Sequence, residues 1–433
     1  MNVTIAQLDE TVARAIQARE QVLQHRSTDS IIAALAQAAK NFLPPDSPWR
    51  AKAVERAPAV TRFSPQMVNE AVNLAFSPLT CEAFSELLDR ELGERRVLDE
   101  FCQFGRTRAR AFGPRLIAHF LAGNVPPPGI VSICCGLLLR SANIVRVSSH
   151  DPVFPALFVE SLREEDNELA DLVAVLNWPR EETALTQAAL AEADAVIAYG
   201  DDDTIATLRR LAPARAQFLG YGHKFSFGVV AREAMNVRDL PALAEAAAFD
   251  ASVYDQQGCL SPHAFYVEEG GELSPRDFAA ALAEAMAAYE TRVPRGKLSL
   301  EEAARMAKLR EHNEFRAATD RRVSVWSSAK GCAWVVVYTD DPVFSLSCLN
   351  RFVYVRPATD LFSVPDFVRE YASWLSTVGV APMNDRTRAF AVELAKIVLH
   401  RVCPIGQMQR PPLSWHHDGQ PNLGHLVRWM DFA

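Results

Sequence analysis

The sequence predicts an α/β fold on a largely parallel sheet, followed by a second α/β region. Three observations predict it. Between Leu116 and Leu219 short apolar runs alternate with segments of helical period, the pattern of βαβ units, in which a crossover helix returns the chain to a parallel strand. Of 433 residues 49% are apolar and 23% charged, the composition of a globular chain with a buried core. The length suffices for two or three domains, each with a core of its own.

The elements follow in order. Residues 1–20 are polar and read as an amphipathic helix, not a secretory leader. The first hundred or so residues read as helical throughout: residues 67–76 and 81–92 place apolar side chains three and four apart, and Pro44, Pro45 and Pro48 break the segment. Residues 115–122 read as a buried strand ending at Gly123, and a helix is expected over residues 130–139. Strands at 143–147, 172–176, 195–200 and from 216 alternate with helices at 151–162, 184–191 and 204–211. A second region begins near Phe227. There helices are expected at 238–249, 275–290, 300–315, 364–374 and 386–400, and strands at 332–338 and 352–356. Residues 410–433 read as loop.

Lys and Arg number 45 against 53 Asp and Glu, a formal net charge of −8, which argues against a general nucleic-acid binder. The longest nearly unbroken apolar run, residues 129–139, is about half of what a bilayer crossing needs. A cytoplasmic protein with no membrane span is expected. The eight cysteines are scattered, with no CxxC pair and no Cys/His spacing of a zinc site. They are expected as thiols, with no metal, and Cys134-Cys135 read as core.

Asp255-Gln256-Gln257-Gly258-Cys259-Leu260-Ser261-Pro262 is the segment richest in chemistry. A cysteine nucleophile needs thiolate character and an open approach for a carbonyl carbon. Gly258 removes a side chain from that approach. The same residues also suit an inert cysteine in a loop. Asn124, in Ala122-Gly123-Asn124-Val125-Pro126, carries an amide that suits an oxyanion or, equally, an Asx turn. Arg146-Val147-Ser148-Ser149 closes the next strand. An Arg with two hydroxyls there suits a ribose and a phosphate, while Ser149 or Asp151 before Pro152 suits a helix cap. No GxGxxG fingerprint is present. In His416-His417-Asp418 the adjacent histidines point to different faces, so a shared metal is not expected.

Taken in order, these segments resemble the aldehyde dehydrogenase superfamily, and within it the LuxC-type long-chain fatty acyl-CoA reductases. The resemblance runs from about Leu116 to the end and includes Gly222-His223-Lys224-Phe225-Ser226-Phe227-Gly228, Pro411-Pro412, Trp415-His416-His417-Asp418-Gly419 and Leu426-Val427-Arg428-Trp429. It implies an aldehyde-dehydrogenase-like fold, with a parallel-sheet cofactor domain, an α/β catalytic domain and a small oligomerisation element. The implied boundaries are residues 1–110 for a helical region on the cofactor domain, 111–227 for that domain, 228–400 for the catalytic domain and 401–433 for a tail. The implied activity is NADPH-dependent reduction of an acyl thioester to the aldehyde through a thioacyl-Cys259 intermediate.

By position, Cys259 matches the family's nucleophile and Asn124 its oxyanion-hole amide, with the Cys259 N–H as second donor. His223 is a candidate for orienting or protonating a leaving group, or a loop residue beside the cofactor cleft. Arg146 stands where aldehyde dehydrogenases keep a Lys at the cofactor ribose, and Ser149 where NAD-preferring members often keep a Glu. With Ser148, Gly200, Gly222 and Lys224 they form the implied cofactor-binding set. Ser149 leaves room for a 2′-phosphate, so NADPH is implied, with NADH as the alternative. Gly200-Asp201-Asp202-Asp203 matches the turn beside the cofactor phosphates, where at least two of the aspartates are expected to point away.

Two departures stand out. Gly220-Tyr221-Gly222-His223-Lys224 lacks the Glu that, in oxidative members, activates water against the thioester. Leu349-Asn350-Arg351-Phe352 lacks the Glu that holds the nicotinamide ribose. The first departure favours reduction or acyl transfer over release of an acid. The expected partners are an acyl-CoA or acyl-protein substrate, an acyl-protein synthetase or acyl-transferase that feeds it, and a second copy in a homo-oligomer. The alternatives are a non-reducing acyl-transfer subunit and an NAD-dependent aldehyde dehydrogenase.

Overall fold

A computed structural model describes residues 3–22, 26–329 and 332–432; Met1, Asn2 and Ala433, which fall in two expected segments, lie outside the described residues. The chain divides into two units. Met1–Thr61, Ala71–His223 and Pro412–Ala433 make the first, and Arg62–Glu70 with Lys224–Pro411 the second.

The first unit opens with helices and then the hairpin β1 (Cys102–Phe104) and β2 (Thr107–Phe112). Next come β3 (Leu116–Phe120), β4 (Ala142–Arg146), β5 (Val173–Leu176), β6 (Ala195–Tyr199) and β7 (Gln217–Tyr221). They form a sheet in the order β5-β4-β3-β6-β7, every neighbouring pair parallel. The helices Pro127–Leu138, Val153–Glu165, Thr183–Ala191 and Asp202–Leu211 cross between the strands. The N-terminal helix, Ile5–Val22, puts Leu8, Val12 and Ala15 into one core with Leu116, Ala118, Ile144 and Val196.

The second unit holds β8 (Phe225–Val230), β9 (Pro262–Glu268), β10 (Val323–Ser327), β11 (Val335–Thr339), β12 (Phe352–Ala358), β13 (Leu375–Ala381) and β14 (Arg401–Pro404). Their order is β10-β11-β12-β9-β8-β13-β14, with β10 antiparallel to β11 and the other pairs parallel. Successive residues feed two cores. Val229, Tyr266, Val335 and Val337 enter one, while Val230, Val267, Val336 and Tyr338 enter the other. A sheet covered on both faces needs near-continuous apolar strands, which is what these segments supply.

The α/β expectation holds, and several elements differ in detail. The first 110 residues are not helical to the end, because the β1–β2 hairpin closes them. Residues 410–433 are not all loop either: β15 (Arg428–Phe432) pairs antiparallel with β2, from Arg428 opposite Phe112 to Phe432 opposite Arg108. All five β15 residues are exposed, so no inward face writes an alternating pattern and the pairing is decided by the partner strand. Strands β10, β13 and β14 are too short or too polar to stand out from loop. The expected helix over residues 130–139 begins at Pro127, since prolines suit a first turn whose N–H groups have no helical acceptor. The expected helix over residues 364–374 is a five-residue helix, Val364–Val368, followed by a 3-10 segment.

Candidate active site

In the first unit the expected ligand residues gather at the carboxyl ends of parallel strands. β3 runs into Gly123 and Asn124. A Cβ at Gly123 would stand 2.7 Å from Ser148 Oγ and 2.8 Å from the Asp151 nitrogen, so only glycine lets the β3 exit lie against the β4 exit. Asn124 follows, exposed, before the Pro127–Leu138 helix. At the end of β4, Arg146 is half-buried and donates to the Trp178 carbonyl at 3.0 Å. Burial holds its guanidinium below the ordinary value. Ser148 is half-buried and accepts from the His150 N–H at 3.2 Å, while Ser149 is exposed. Asp151 Oδ1 takes the Phe154 N–H at 3.1 Å at the start of the next helix. So Asp151, not Ser149, fills the cap role that both suited.

At the β6 exit, the Gly200 N–H donates to the Tyr221 carbonyl at 3.2 Å. Two of the three aspartates that follow are occupied by the protein. Asp201 accepts from the Thr204 N–H at 2.7 Å, and Thr204 is the main cause holding its carboxyl below the ordinary value. Asp202 accepts from the His223 N–H at 3.3 Å. A Cβ at Gly222 would lie 2.7 Å from that same Asp202 oxygen, so glycine admits the carboxylate. Sequence reasoning missed a stack of rings at these strand ends. Tyr199 and Tyr221 stack at 4.7 Å, Tyr221 and His417 at 4.3 Å, and His417 and Trp415 at 5.0 Å. The rings come from three separate segments, and nothing local in the sequence signals their meeting.

In the second unit, Cys259 lies on the turn that enters β9. The Ser261 N–H closes that turn on the Gly258 carbonyl at 3.0 Å. The Cys259 carbonyl accepts from Ser226 Oγ at 2.8 Å, and Ser226 Oγ accepts from the Thr377 N–H at 3.1 Å. Both ladders of β8 slip register here, against β9 between Ser226 and Gly228 and against β13 between Leu375 and Val378. Such irregularities re-aim backbone beside active sites. Lys224, just before β8, donates to the Ser373 carbonyl at 2.6 Å.

Cys259 is half-buried, unlike most of its kind. Cys102, Cys134, Cys135, Cys348 and Cys403 are buried. Burial pushes Cys348 up to about 11 and Cys403 to about 12, and raises Cys134 and Cys135 well above the ordinary range.

The approach to Cys259 is built from left-handed backbone. Tyr254, Asp255 and Gln256 have φ of 55°, 50° and 64°. Leu349, Asn350 and Arg351 have φ of 63°, 60° and 66°. For side chains other than glycine this costs about 1–2 kcal/mol per residue, so other bonds must hold both turns in place. They do so by interlocking. The Asn350 N–H donates to the Asp255 carbonyl at 3.0 Å. Gln257 donates to the Asn350 side chain at 3.0 Å. Gln256, fully buried, donates to the carbonyls of Pro262 at 2.8 Å and Phe352 at 3.0 Å and accepts from the Phe352 N–H at 2.9 Å. Arg351, fully buried, grips the Asp255 carboxylate at 2.9 and 2.8 Å. Burial is the main influence on Asp255 and raises it from the ordinary value, against the pull of Arg351. The Leu349-Asn350-Arg351-Phe352 segment, which lacks the glutamate, is therefore part of the frame under Cys259.

Among the described residues no group of three or more His, Cys, Asp or Glu side chains is placed to hold a metal ion. No helix among them is long and apolar enough to cross a membrane.

Comparison with known proteins places this fold. Across the whole chain the fold resembles an NAD-dependent benzaldehyde dehydrogenase from Corynebacterium glutamicum, with a TM-score of 0.72, 15% identity and 91% of that chain covered. It also resembles the NADP complex of the glyceraldehyde-3-phosphate dehydrogenase GapN from Methanocaldococcus jannaschii, with a TM-score of 0.72, 11% identity and 95% of that chain covered. These likenesses show an aldehyde dehydrogenase fold. In sequence, the chain is 28% identical over 393 residues to a long-chain acyl-protein thioester reductase of Vibrio harveyi, covering 88% of this chain and 79% of the relative. A protein of the same description from Aliivibrio fischeri is 26% identical over 373 residues, covering 85% of this chain and 74% of the relative. The family model described as acyl-CoA reductase (LuxC) matches residues 23–429, and the chain belongs to that family.

Proposed function

We propose that the chain reduces a fatty acyl thioester to the aldehyde through a thioacyl-Cys259 intermediate, with NADPH as reductant. One observation carries the reading: in a chain with most of its thiols sealed, Cys259 is half-buried on a turn entering a strand, beside two slipped ladders. The Cys259 thiolate attacks the thioester carbonyl. The Asn124 amide and the Cys259 N–H receive the oxyanion, a donor of this kind being worth about 3 kcal/mol in the barrier. The donor's thiolate leaves and the acyl group stays on sulfur. The same two donors receive the oxyanion formed on reduction, and its collapse frees the sulfur and the aldehyde. Gly220 to Lys224 offers no carboxylate of its own to draw a proton from water, so the thioacyl group is spared hydrolysis.

The residues present fit a nicotinamide nucleotide. Among the described residues one donor of Arg146 is spent, on the Trp178 carbonyl. Ser149 stands exposed beside it at the carboxyl end of β4, where open α/β sheets take their ligands. Arg146 and Ser149 would hold the ribose and its 2′-phosphate, with Ser148, Gly200, Gly222 and Lys224 completing the proposed cofactor set and His223 as the candidate for the departing thiolate. When bound, the cofactor supplies the hydride. The names of the relatives favour an acyl-protein over acyl-CoA as donor, fed by an acyl-protein synthetase or acyl-transferase. A homo-oligomer in the cytoplasm completes the reading. The β1-β2-β15 sheet supports the assembly, since its edge strand β15 exposes Trp429, Met430 and Phe432.

The test is incubation with mass-tagged acyl thioesters, one arm carrying acyl-CoA and the other an acyl-protein. Wild type becomes acylated at Cys259 and releases aldehyde when NADPH is added, and Cys259→Ala does neither. Acylation that persists in Cys259→Ala removes the sulfur from the mechanism. Acylation without aldehyde leaves an acyl-transfer protein instead.

A further inference from the structure

Arg351 is a fully buried cation at the root of the Cys259 loop. Its Nε and Nη2 both reach Asp255 Oδ1, at 2.9 and 2.8 Å. Its Nη1 reaches Glu290 Oε2 at 2.6 Å and the Val293 carbonyl at 3.0 Å, at the end of the Pro275–Arg292 helix. The other oxygen of Asp255 takes the Gly296 N–H at 2.9 Å. One guanidinium thus ties the nucleophile loop, the turn before β12 and a helix end together.

Stability alone gives poor reason for this pair. A buried ion pair is often replaced by apolar side chains at no loss. What an apolar pair lacks is direction. The Arg351 Nε on one oxygen and the Gly296 N–H on the other fix the orientation of Asp255, and Asp255 lies four positions before Cys259 with little slack between them. Gln256 is bonded to Pro262 and Phe352. Gln257 is bonded to Asn350 and, through its N–H, to the Tyr254 carbonyl at 2.9 Å. A shift of Asp255 is passed along to the Cys259 backbone.

We propose that Asp255 and Arg351 are positioning residues for Cys259, holding its sulfur and its N–H where a thioester carbonyl meets both. The inference rests on the nucleophile role of Cys259 proposed above. A displacement near 1 Å costs about 10²-fold in rate, without any contact between the pair and substrate.

The experiment compares the full-length wild type with Arg351→Met, Asp255→Asn, the double variant and Arg351→Lys. Thermal melting is read beside two rates at Cys259, alkylation by iodoacetamide across pH and acylation by an acyl thioester, each localised by mass spectrometry. The single variants leave one buried charge without its partner and melt early. The double variant removes the buried Asp255–Arg351 pair, leaves the partly exposed Glu290 carboxylate its Arg295 N–H at 2.9 Å, keeps an Asn that tolerates left-handed backbone, and regains most of the melting temperature. Its acylation stays about 10²-fold down and its alkylation profile stays displaced along the pH axis. Arg351→Lys keeps the charge without the directed Nε bond and shows the same split, so it serves as the deciding arm where the double variant does not fold. Wild-type rates in a well-folded double variant, or in Arg351→Lys, overturn the positioning role. A wild type in which Cys259 takes neither label overturns the nucleophile reading instead.

Discussion

Both units hold a loop at the end of a parallel strand, and they do it by opposite means. In the first, two of the turns are held by local aspartate caps. Asp151 caps Phe154 and Asp201 caps Thr204, each across three residues. In the second, the Cys259 loop is held from a distance, since Asp255 and Arg351 are 96 residues apart and so are Gln256 and Phe352. Local caps shape a turn that a ligand can fill. Distant restraints fix a backbone that would not hold its conformation alone, because six of its residues lie in a region that side chains disfavour. The difference matches what each place would do, one receiving a cofactor and the other aiming a nucleophile.

The largest expected effect breaks the distant restraint outright. Gln256→Leu removes three hydrogen bonds from the main chain of Pro262 and Phe352, in a fully buried place. At about 1–3 kcal/mol for each group left unpaired, the loss is roughly 3–5 kcal/mol. Hydrogen exchange would show early opening at residues 254–262 and 349–354 while β3 to β6 keep their protection. Equal loss of protection in both units contradicts the division into local and distant support.

The same contrast explains what the sequence makes legible. The parallel sheet of the first unit is legible because apolar runs and helical spacing are themselves local. The segment around Cys259 is legible as chemistry, through a glycine before a cysteine. Its support is not. Tyr254, Asp255 and Gln256 carry no glycine to announce left-handed backbone, and Arg351 looks like any arginine before a strand. A buried arginine is usually signalled by its acid, and here the acid lies on another element. The ring stack at Tyr199 and Tyr221 is hidden for the same reason, since His417 and Trp415 arrive from the tail.

The first unit holds its tail by a distant restraint, and it sharpens the comparison. Glu91, on the Cys81–Leu92 helix, accepts from the N–H groups of Asn422 at 2.7 Å, Leu423 at 2.8 Å and Gly424 at 2.7 Å. Asn422 adds its side-chain amide at 3.2 Å. This anchors the tail that carries Trp415 and His417. Glu91→Ala leaves three backbone donors to find water, for about 2–3 kcal/mol. Limited proteolysis is expected to cut first within residues 412–427. A tail that stays protected in Glu91→Ala shows that the ring stack and β15, not the carboxylate, hold it.

The smallest effect is electrostatic and should separate the units by pH. His119 in the first unit is buried between Ser132 Oγ at 2.8 Å and Asn143 Oδ1 at 3.0 Å, and burial lowers it to about 4. A histidine lowered on folding gives stability that is present above its unfolded value near 6.5 and lost as pH falls through the folded value. The loss by pH 5 is about 2 kcal/mol. Burial raises Asp151 in the same unit to about 7. Its contribution has the opposite slope, complete below about 4 and lost as pH rises to 7, so it offsets His119 over most of this range. In the second unit burial likewise raises Asp250 to about 7, against the N–H groups of Gly406 and Met408. In the same unit Asp255 is shifted in the same direction. The second unit is therefore expected to be firmest near pH 5 and to loosen by pH 8, while the first changes little. Substituting His119→Gln removes the offset and gives the first unit the same slope. Hydrogen exchange at pH 5 and pH 8, read strand by strand, checks both statements. A second unit that tightens as pH rises would mean that the Asp250 carboxylate is stabilised by its two N–H donors more than burial penalises it.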